Sequence, residues 1–404
     1  MEFYTYILPN GIRGIHRQTK SGVTHCGLMI NAGTRDERAG EIGLAHFAEH
    51  SIFKGTTRRK AYQVNCRLEN LGGELNAFTT KEDTTIHATT LRADFSKAVE
   101  LIADIASSST YPEKELEREK EVIYDEINTY KDSPSELIYD TFEELVFKDS
   151  ELGHNILGLK RDIRRFTGDS IREFAARCYT TDQMVFSSIG NISPKRVEAI
   201  AARYFGDIPP STRTFERTPP PPMIHFNESL KRHTHQTHCM IGGRAYGICE
   251  RKRLPLSLLI NVLGGPCANS ILNTVVRERH GLTYNIEASY TPYIDSGLVS
   301  IYFGAERNNT DKVIELIDNE ISKLCRQPLT ARQLSMAKKQ FIAQVAISME
   351  SNEGYMLGVG KSYLVHGSVD TTEEVQRKVM SLSASEVMDV ANEIFNDKSI
   401  LIYQ

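Results

Sequence analysis

The chain has 404 residues, enough for two or three domains with sizeable hydrophobic cores. Its 48 lysines and arginines nearly balance 52 aspartates and glutamates, so the formal net charge is -4, and no long run of one sign occurs. This balance argues against a protein that binds nucleic acid or a membrane surface.

In chain order, the first half is predicted to begin with strands on both sides of a turn at "PNG". A helix in "GLAHFAEHSIFKG" (residues 43–55) follows, and then a helix that ends at Gly72-Gly73. The stretch "ELNAFTTKEDTTIHATTL" predicts two strands, and helices continue to about residue 180. Antiparallel strands with helices grouped between them are typical of an α+β domain.

The segment "FGDIPPSTRTFERTPPPPM" (205–223) is rich in proline and lacks apolar periodicity. Such a composition predicts a semi-rigid linker. The expected organisation is therefore a first domain at residues 1–205, a linker at 206–223 and a second domain at 224–404.

The two domains are predicted to be copies of each other. "THC" occurs at 24–26 and again at 237–239, and "KAVELIADI" from Lys97 resembles "KVIELIDNEI" from Lys312. The offsets of 213 and 215 agree within a small insertion, which indicates duplication. We therefore expect two homologous α+β domains, each with helices packed on an antiparallel sheet.

The helix of residues 43–55 carries His46, Glu49 and His50 in otherwise apolar surroundings. At ~100° per residue the three side chains fall within one arc, and apolar residues fill the rest of the circumference. Such a helix is predicted to be buried. Buried imidazole and carboxylate groups are costly without a metal or a hydrogen-bond partner, so the arc requires a partner elsewhere in the chain.

A candidate partner lies in "PEKELEREKEVIYDEINTY" (112–130), a predicted helix with proline at its start. Glu119 and Glu126 are two helical turns apart and project from the same face. Two imidazoles and a carboxylate with an open fourth position make a catalytic zinc site, in which bound water has a pKa of ~7. Glu49 is then placed to accept the proton of that water.

The pattern "HFAEH" is the inverted zinc-protease motif H-x-x-E-H. With a glutamate 76 residues after His50, the chain resembles the pitrilysin, insulysin and mitochondrial processing peptidase family of zinc metallopeptidases. The segments "NAGTRDE", "GGELNAFTTKEDTT", "HNILG" and "RERHGLTY" extend the resemblance over most of the chain. The length resembles the short-chain, bacterial-type branch, whose members work as dimers.

The resemblance implies a zinc site in the first domain. His46, His50 and Glu126 would bind one zinc ion per chain, and Glu49 would be the general base. Glu119 would support the site without binding the metal itself.

The resemblance also implies how a substrate is held. The strand around Asn76, Ala77 and Phe78 would pair with an extended peptide, and Arg277 and Tyr284 would contribute catalytic and substrate contacts from the second domain in a clamshell arrangement. Without the resemblance, Arg277 could be an exposed helix residue before a Gly281 C-cap, and Tyr284 a core strand residue.

The second domain is predicted to lack metal chemistry. No H-x-x-E-H occurs in it. Alignment of the two long helices at an offset of 218 places Ala337 opposite Glu119 and Gln344 opposite Glu126. The family that the chain resembles has the same arrangement of one active and one metal-free half.

Other histidines have simpler interpretations. His233, His235 and His238 resemble a second metal site, but no nearby carboxylate or thiolate completes it, so ordinary strand residues are predicted. His154 could line a cleft or bond to a loop, and His87 stands where the family often has tyrosine.

The expected location follows from what the sequence lacks. The first 20 residues have no apolar core of a signal peptide, and no segment is long and apolar enough for a transmembrane helix. The seven cysteines never form a C-x-x-C pair, which is typical of reduced thiols. We expect a cytoplasmic protein without membrane or nucleic-acid partners.

The predicted function is that of a zinc endopeptidase acting on peptides or unfolded polypeptides. We expect a homodimer or a heterodimer with a related chain. One alternative is a non-catalytic structural or partner subunit of a peptidase complex, although the intact motif argues against it. The other alternative is a dedicated precursor-processing peptidase.

Overall fold

The computed structural model describes residues 3–232 and 234–404. The chain forms two compact units. Unit 1 contains the chain up to Ile127 together with His154–Thr218 and Ser348–Val369. Unit 2 contains Asn128–Gly153, Pro219–Ile347 and Asp370–Gln404.

The described residues form two sheets. The sheet of unit 1 has strands β1 (Tyr4–Ile7), β2 (Arg13–Gln18), β3 (Val23–Ile30), β4 (Glu74–Thr79), β5 (Thr84–Leu91) and β6 (Met184–Gly190). The sheet of unit 2 has strands β7 (Asn227–Leu230), β8 (Thr237–Ala245), β9 (Thr283–Pro292), β10 (Gly297–Ala305) and β11 (Ser399–Tyr403).

The helices pack on these sheets. They are α1 (Leu44–Ser51), α2 (Ala61–Glu69), α3 (Phe95–Ser108), α4 (Glu113–Lys131), α5 (Pro134–Val146), α6 (Lys160–Ile163), α7 (Gly168–Cys178), α8 (Pro194–Phe205), α9 (Arg253–Gly264), α10 (Thr310–Arg326), α11 (Ala331–Ser348), α12 (Asn352–His366), α13 (Thr372–Ser381) and α14 (Ala384–Phe395). A π-helical segment, Asn273–Arg279, precedes β9. Nowhere in the described ranges does a helix combine the length and apolar composition needed to span a bilayer.

The two sheets repeat one topology. Their strand orders are β1-β2-β6-β3-β5-β4 and β7-β11-β8-β10-β9, which match strand by strand when β1 is set aside. The two "THC" segments lie in the equivalent strands β3 and β8. The predicted pair of homologous α+β domains is confirmed. Each sheet is mainly antiparallel but also has one parallel pair, β2 with β6 and β7 with β11.

Each sheet is covered on both faces. In unit 1, α1, α3 and α8 contribute to the core on one face, and α12 packs Met356 and Val359 against Met29 and Val185 on the other. In unit 2, α9, α10 and α14 contribute to the core on one face. On its other face α5 contributes Ile138, Phe142 and Val146.

The compact units differ from the predicted domains at α5 and α12. α5 follows the long helix α4 of the first half but belongs to unit 2, and α12 follows the long helix α11 of the second half but belongs to unit 1. α5 and α12 are equivalent elements of the two halves, because their first residues are separated by the same offset of 218 as the first residues of the long helices. The exchange of helices between the units is therefore reciprocal. An amphipathic pattern reveals an apolar face but not which sheet covers it.

The predicted linker, 206–223, has no regular secondary structure, and its first part is fixed to unit 1. Arg217 forms a two-pronged ion pair with Asp36, with nitrogen-oxygen distances of 2.9 and 2.7 Å. The Ser211 hydroxyl accepts a hydrogen bond from the Thr181 backbone N–H at 3.1 Å. Within this segment the chain passes from unit 1 to unit 2 after Thr218, near the end of the segment.

Candidate metal centre

Helices α1 and α4 bring three metal-binding side chains together. His46 and His50 are one turn apart on α1, and Glu126 lies on α4. Their ligand atoms lie within 4.8 Å of one another. The Glu126 Oε2 atom is 3.8 Å from His46 Nε2 and 4.0 Å from His50 Nε2. Among residues 3–232 and 234–404, this is the only cluster of three or more His, Cys, Asp or Glu side chains with such spacing.

The donor set fits zinc. Two imidazole nitrogens and one carboxylate oxygen, with a fourth position left open, are a typical catalytic zinc ligand set. Bonds of about 2.1 Å in tetrahedral geometry put ligand atoms ~3.4 Å apart, so the observed separations require only small side-chain adjustments. The three residues that the sequence assigned as ligands therefore have a mutual geometry that can hold the ion.

His50 is oriented by a chain of polar contacts. Its Nδ1 lies 2.8 Å from Glu119 Oε1, and the other carboxylate oxygen, Oε2, lies 2.5 Å from Lys54 Nζ. A carboxylate only accepts hydrogen bonds, so His50 carries its proton on Nδ1 and leaves the Nε2 lone pair for a metal. Lys54 was not predicted from the sequence. Its position four residues after His50, close to the motif, is the signal that could have identified it.

The protonation of the two histidines follows from these surroundings. Burial, assisted by the neighbouring His50, lowers the pKa of His46 to about 3, so its ring is neutral. Burial alone would lower the pKa of His50, but the hydrogen bond with Glu119 and the nearby carboxylates outweigh it and raise that pKa. Burial would likewise raise the pKa of Glu119, but hydrogen bonds from His50 and Lys54 lower it. Glu119 is therefore an ionised acceptor.

Glu49 is buried beside the ligand cluster. Burial, together with the carboxylates of Glu126 and Glu119, raises its pKa to about 7, and His50 opposes that rise. A cation bound at the centre would favour the charged form of Glu49. The position suits a group that exchanges a proton near neutral pH.

The start of α1 is closely packed against the "HNILG" segment. Gly43 and Gly158 have φ values of 98° and 81°, a region that disfavours other residues. A Cβ atom on Gly43 would lie 2.6 Å from the Gly158 Cα. The Leu159 N–H donates to the Ile42 carbonyl at 3.2 Å. A segment noted only for its resemblance thus fixes the chain entering the metal-binding helix.

Strand β4 ends the sheet of unit 1. Its one strand partner among the described residues is β5. The side chains of Asn76 and Phe78 are exposed, and Ala77 is half-buried. The Phe78 ring lies 5.9 Å from the His87 ring, and His87 Nδ1 is 3.1 Å from Glu353 Oε1. An open strand edge can pair with an added extended peptide.

Arg277 and Tyr284 belong to unit 2. Arg277 lies in the π-helical segment with half of its side chain exposed, and Glu278 lies 3.8 Å away. Gly281 has a φ of 63°, and its N–H donates to the Arg277 carbonyl, as a glycine after a helix end does. Tyr284, at the start of β9, is 88% exposed. The alternative interpretation of Tyr284 as a core residue is therefore wrong.

Unit 2 has an amide group at the position equivalent to the candidate ligand Glu126. Gln344 on α11 occupies the position equivalent to Glu126, and its Oε1 accepts a hydrogen bond from Asn261 of α9 at 2.6 Å. Gln344 also donates to Cys267 Sγ at 2.9 Å. Neutral amides bind zinc poorly compared with imidazole and carboxylate.

The remaining histidines have other surroundings. His238 Nδ1 lies 2.9 Å from the Tyr302 hydroxyl, and His235 is exposed. His233 lies outside the described residues. The His154 carbonyl accepts a hydrogen bond from Lys81 Nζ.

Comparisons with known proteins show which families and proteins the chain is similar to. Residues 15–160 match the family model described as "Insulinase (Peptidase family M16)", and residues 165–341 match the one described as "Peptidase M16 inactive domain". The chain is similar to the uncharacterized zinc protease YmxG of Bacillus subtilis, with 30% identity over 97% of this chain and 95% of the relative. An uncharacterized zinc protease of Rickettsia bellii is 29% identical over 92% of this chain and 90% of its own.

Two solved structures share the fold. A protease from Helicobacter pylori superposes with a TM-score of 0.90 at 21% identity and covers 100% of this chain and 99% of its own. A peptidase M16 inactive domain from Pseudomonas fluorescens gives a TM-score of 0.92 at 19% identity, with coverage of 100% and 98%.

Proposed function

The chain belongs to peptidase family M16, and on that premise we propose that it is a zinc-dependent metalloendopeptidase that hydrolyses peptides or unfolded polypeptides. The observation that carries the proposal is the convergence of His46, His50 and Glu126 beside the buried carboxylate of Glu49. One zinc ion per chain would be bound by these three residues.

Zinc would lower the pKa of a bound water to ~7 and polarise the scissile carbonyl. Glu49 acts as the general base: it accepts a proton from the attacking water and delivers it to the leaving amine nitrogen. Its burial excludes bulk water from that proton transfer. Glu119 and Lys54 hold the His50 ring in the required tautomer.

The substrate would be held at β4. An extended peptide paired with the edge around Asn76, Ala77 and Phe78 satisfies its backbone hydrogen bonds whatever its side chains, which suits unfolded polypeptides. In this proposal the Tyr284 hydroxyl stabilises the developing oxyanion, and Arg277 binds backbone carbonyls of the peptide. The exposure of both side chains leaves them available.

We also propose that the active form is a dimer. Metal-binding side chains converge in unit 1, whereas unit 2 carries Gln344 at the position equivalent to Glu126 and Ala337 at the position equivalent to Glu119. One chain therefore supplies one metal-binding and one metal-free half, and a two-fold assembly of two chains would combine two of each.

The test uses Glu49→Gln, with Glu121→Gln, an exposed carboxylate on α4, as matched control. A mixture of unstructured peptides is incubated with each zinc-loaded protein, and products are identified by mass spectrometry. Glu49→Gln should keep its zinc and lose hydrolysis, because an amide does not accept the proton at neutral pH. Cleavage by Glu49→Gln at the rate of the control would overturn the assignment of the base, and no cleavage by wild type would indicate a non-catalytic subunit.

A further inference from the structure

The metal-binding helix α1 lacks a capping side chain of its own. It has only eight residues, and its N-cap position is Gly43, which offers no side-chain acceptor. Serine, threonine, aspartate or asparagine normally accepts a hydrogen bond from an N–H group of the first turn. An eight-residue helix without that bond frays readily, since little intrahelical bonding opposes it.

Glu37 supplies the missing acceptor from upstream in the chain. Its Oε1 accepts a hydrogen bond from the Ala45 N–H at 2.8 Å, and its Oε2 accepts one from the Gly43 N–H at 3.0 Å. Glu37 is only 4% exposed, so water cannot substitute for these bonds. Burial raises the pKa of the Glu37 carboxyl well above its usual value, whereas the hydrogen bonds from the Ala45 and Gly43 N–H groups favour its charged form, which also interacts favourably with the helix dipole.

Glu37 is itself fixed by its neighbours. Asp36 forms the two-pronged ion pair with Arg217, and Asp36 Oδ2 also accepts from the Gly33 N–H at 3.0 Å. Arg35 is 2.6 Å from Glu82. These buried ion pairs give the carboxylate of Glu37 a rigid base from which to reach α1.

The consequence for the metal centre follows from the position of His46. It directly follows Ala45 and lies in the first turn of α1, whereas His50 lies in the last turn and is held by Glu119. Loss of the bonds to Glu37 would therefore release His46 before His50. We propose that Glu37 is a positioning residue for the metal centre, which holds the first turn of α1 so that His46 can bind zinc. This inference rests on the proposed zinc site.

The test measures zinc affinity rather than peptide cleavage. Zinc dissociation constants are determined by competition with a chromophoric chelator, well below the unfolding temperature, for wild type, Glu37→Gln and Glu37→Asp. The matched control is Glu41→Gln, because Glu41 lies four residues away and pairs with Arg177 at 2.6 Å without accepting from an α1 N–H through its carboxylate.

In Glu37→Gln, the side-chain NH2 group would face a backbone N–H group of α1 or its N-cap, and two hydrogen-bond donors repel each other. Its zinc dissociation constant should rise about 10- to 100-fold, as for other residues that orient metal ligands. Glu37→Asp keeps the charge but reaches less far, so its zinc dissociation constant should lie between those of wild type and Glu37→Gln. Glu41→Gln should change by less than ~3-fold, since it loses a partly exposed ion pair.

Hydrogen-deuterium exchange provides a readout that does not depend on zinc. In metal-free Glu37→Gln, exchange should accelerate in residues 43–47 and stay unchanged in α4. A folded Glu37→Gln with the zinc affinity and exchange of wild type would overturn the proposal. If Glu37→Gln does not fold, equal zinc affinity of Glu37→Asp and Glu41→Gln would overturn it. Absence of zinc binding by wild type would instead overturn the proposed function.

Discussion

Replacement of Lys54 by methionine should weaken zinc binding by about tenfold. Methionine keeps most of the length of the side chain but removes the ammonium group that lies 2.5 Å from Glu119 Oε2. The Glu119 side chain is 9% exposed and would then keep its contact with His50 but lose its contact with the ammonium group. A buried carboxylate that loses a charged partner is destabilised and binds a proton more readily. A protonated or displaced Glu119 no longer fixes the proton on His50 Nδ1.

The magnitude follows from the exposure of the pair. Charged hydrogen bonds contribute about 1.5–3 kcal/mol when buried, and exposed pairs contribute less than about 1 kcal/mol. The Lys54 side chain is 22% exposed, so an intermediate value applies. A loss of about 1.4 kcal/mol corresponds to a tenfold higher zinc dissociation constant. This is the lower end of the effects known for groups that orient metal ligands.

The assay is chelator competition on folded protein. Lys54→Arg keeps the positive charge and should stay within ~3-fold of wild type. The matched control is Lys120→Met, because Lys120 is a buried lysine whose ammonium group pairs with Glu117 at 2.7 Å rather than with Glu119. If Lys54→Met binds zinc as tightly as Lys120→Met, the contact with Glu119 does not orient His50.

Three further predictions concern the ligands, the second half and the assembly. His46→Ala and Glu126→Gln should each lose bound zinc, measured by elemental analysis, and full zinc content in either variant would contradict its assignment as a ligand. Tyr284→Phe should lower kcat by as much as ~100-fold with zinc content unchanged, whereas Arg277→Ala should mainly raise KM. If both variants have the kinetics of wild type, neither residue takes part in catalysis or substrate binding. Light scattering should give about twice 45.5 kDa, and a fully active monomer would contradict the dimer.

The clustering of the candidate metal ligands could be predicted because its determinants are local. His46, Glu49 and His50 lie within five residues of one helix, and Glu119 and Glu126 are seven positions apart on another. Helical periodicity converts such spacings directly into shared faces. Repeated short segments also indicated the duplication, which the matching strand orders confirm.

The missed features depend on contacts distant in sequence. The apolar faces of α5 and α12 are visible in sequence, but the exchange of these helices between units depends on which sheet offers space. β6 reads as a short apolar run after the helices and was not predicted, although it is the strand parallel to β2. Glu37 is one of many acidic residues, and only its hydrogen bonds to Gly43 and Ala45 distinguish it.

Anomalous diffraction at the zinc absorption edge, from crystals of the zinc-loaded protein, would locate the bound metal and identify its ligands. We expect one strong peak per chain at about 2.1 Å from the Nε2 atoms of His46 and His50 and from a carboxylate oxygen of Glu126. A peak at His235 and His238 instead, or no peak between α1 and α4 in a protein that cleaves peptides, would contradict this expectation.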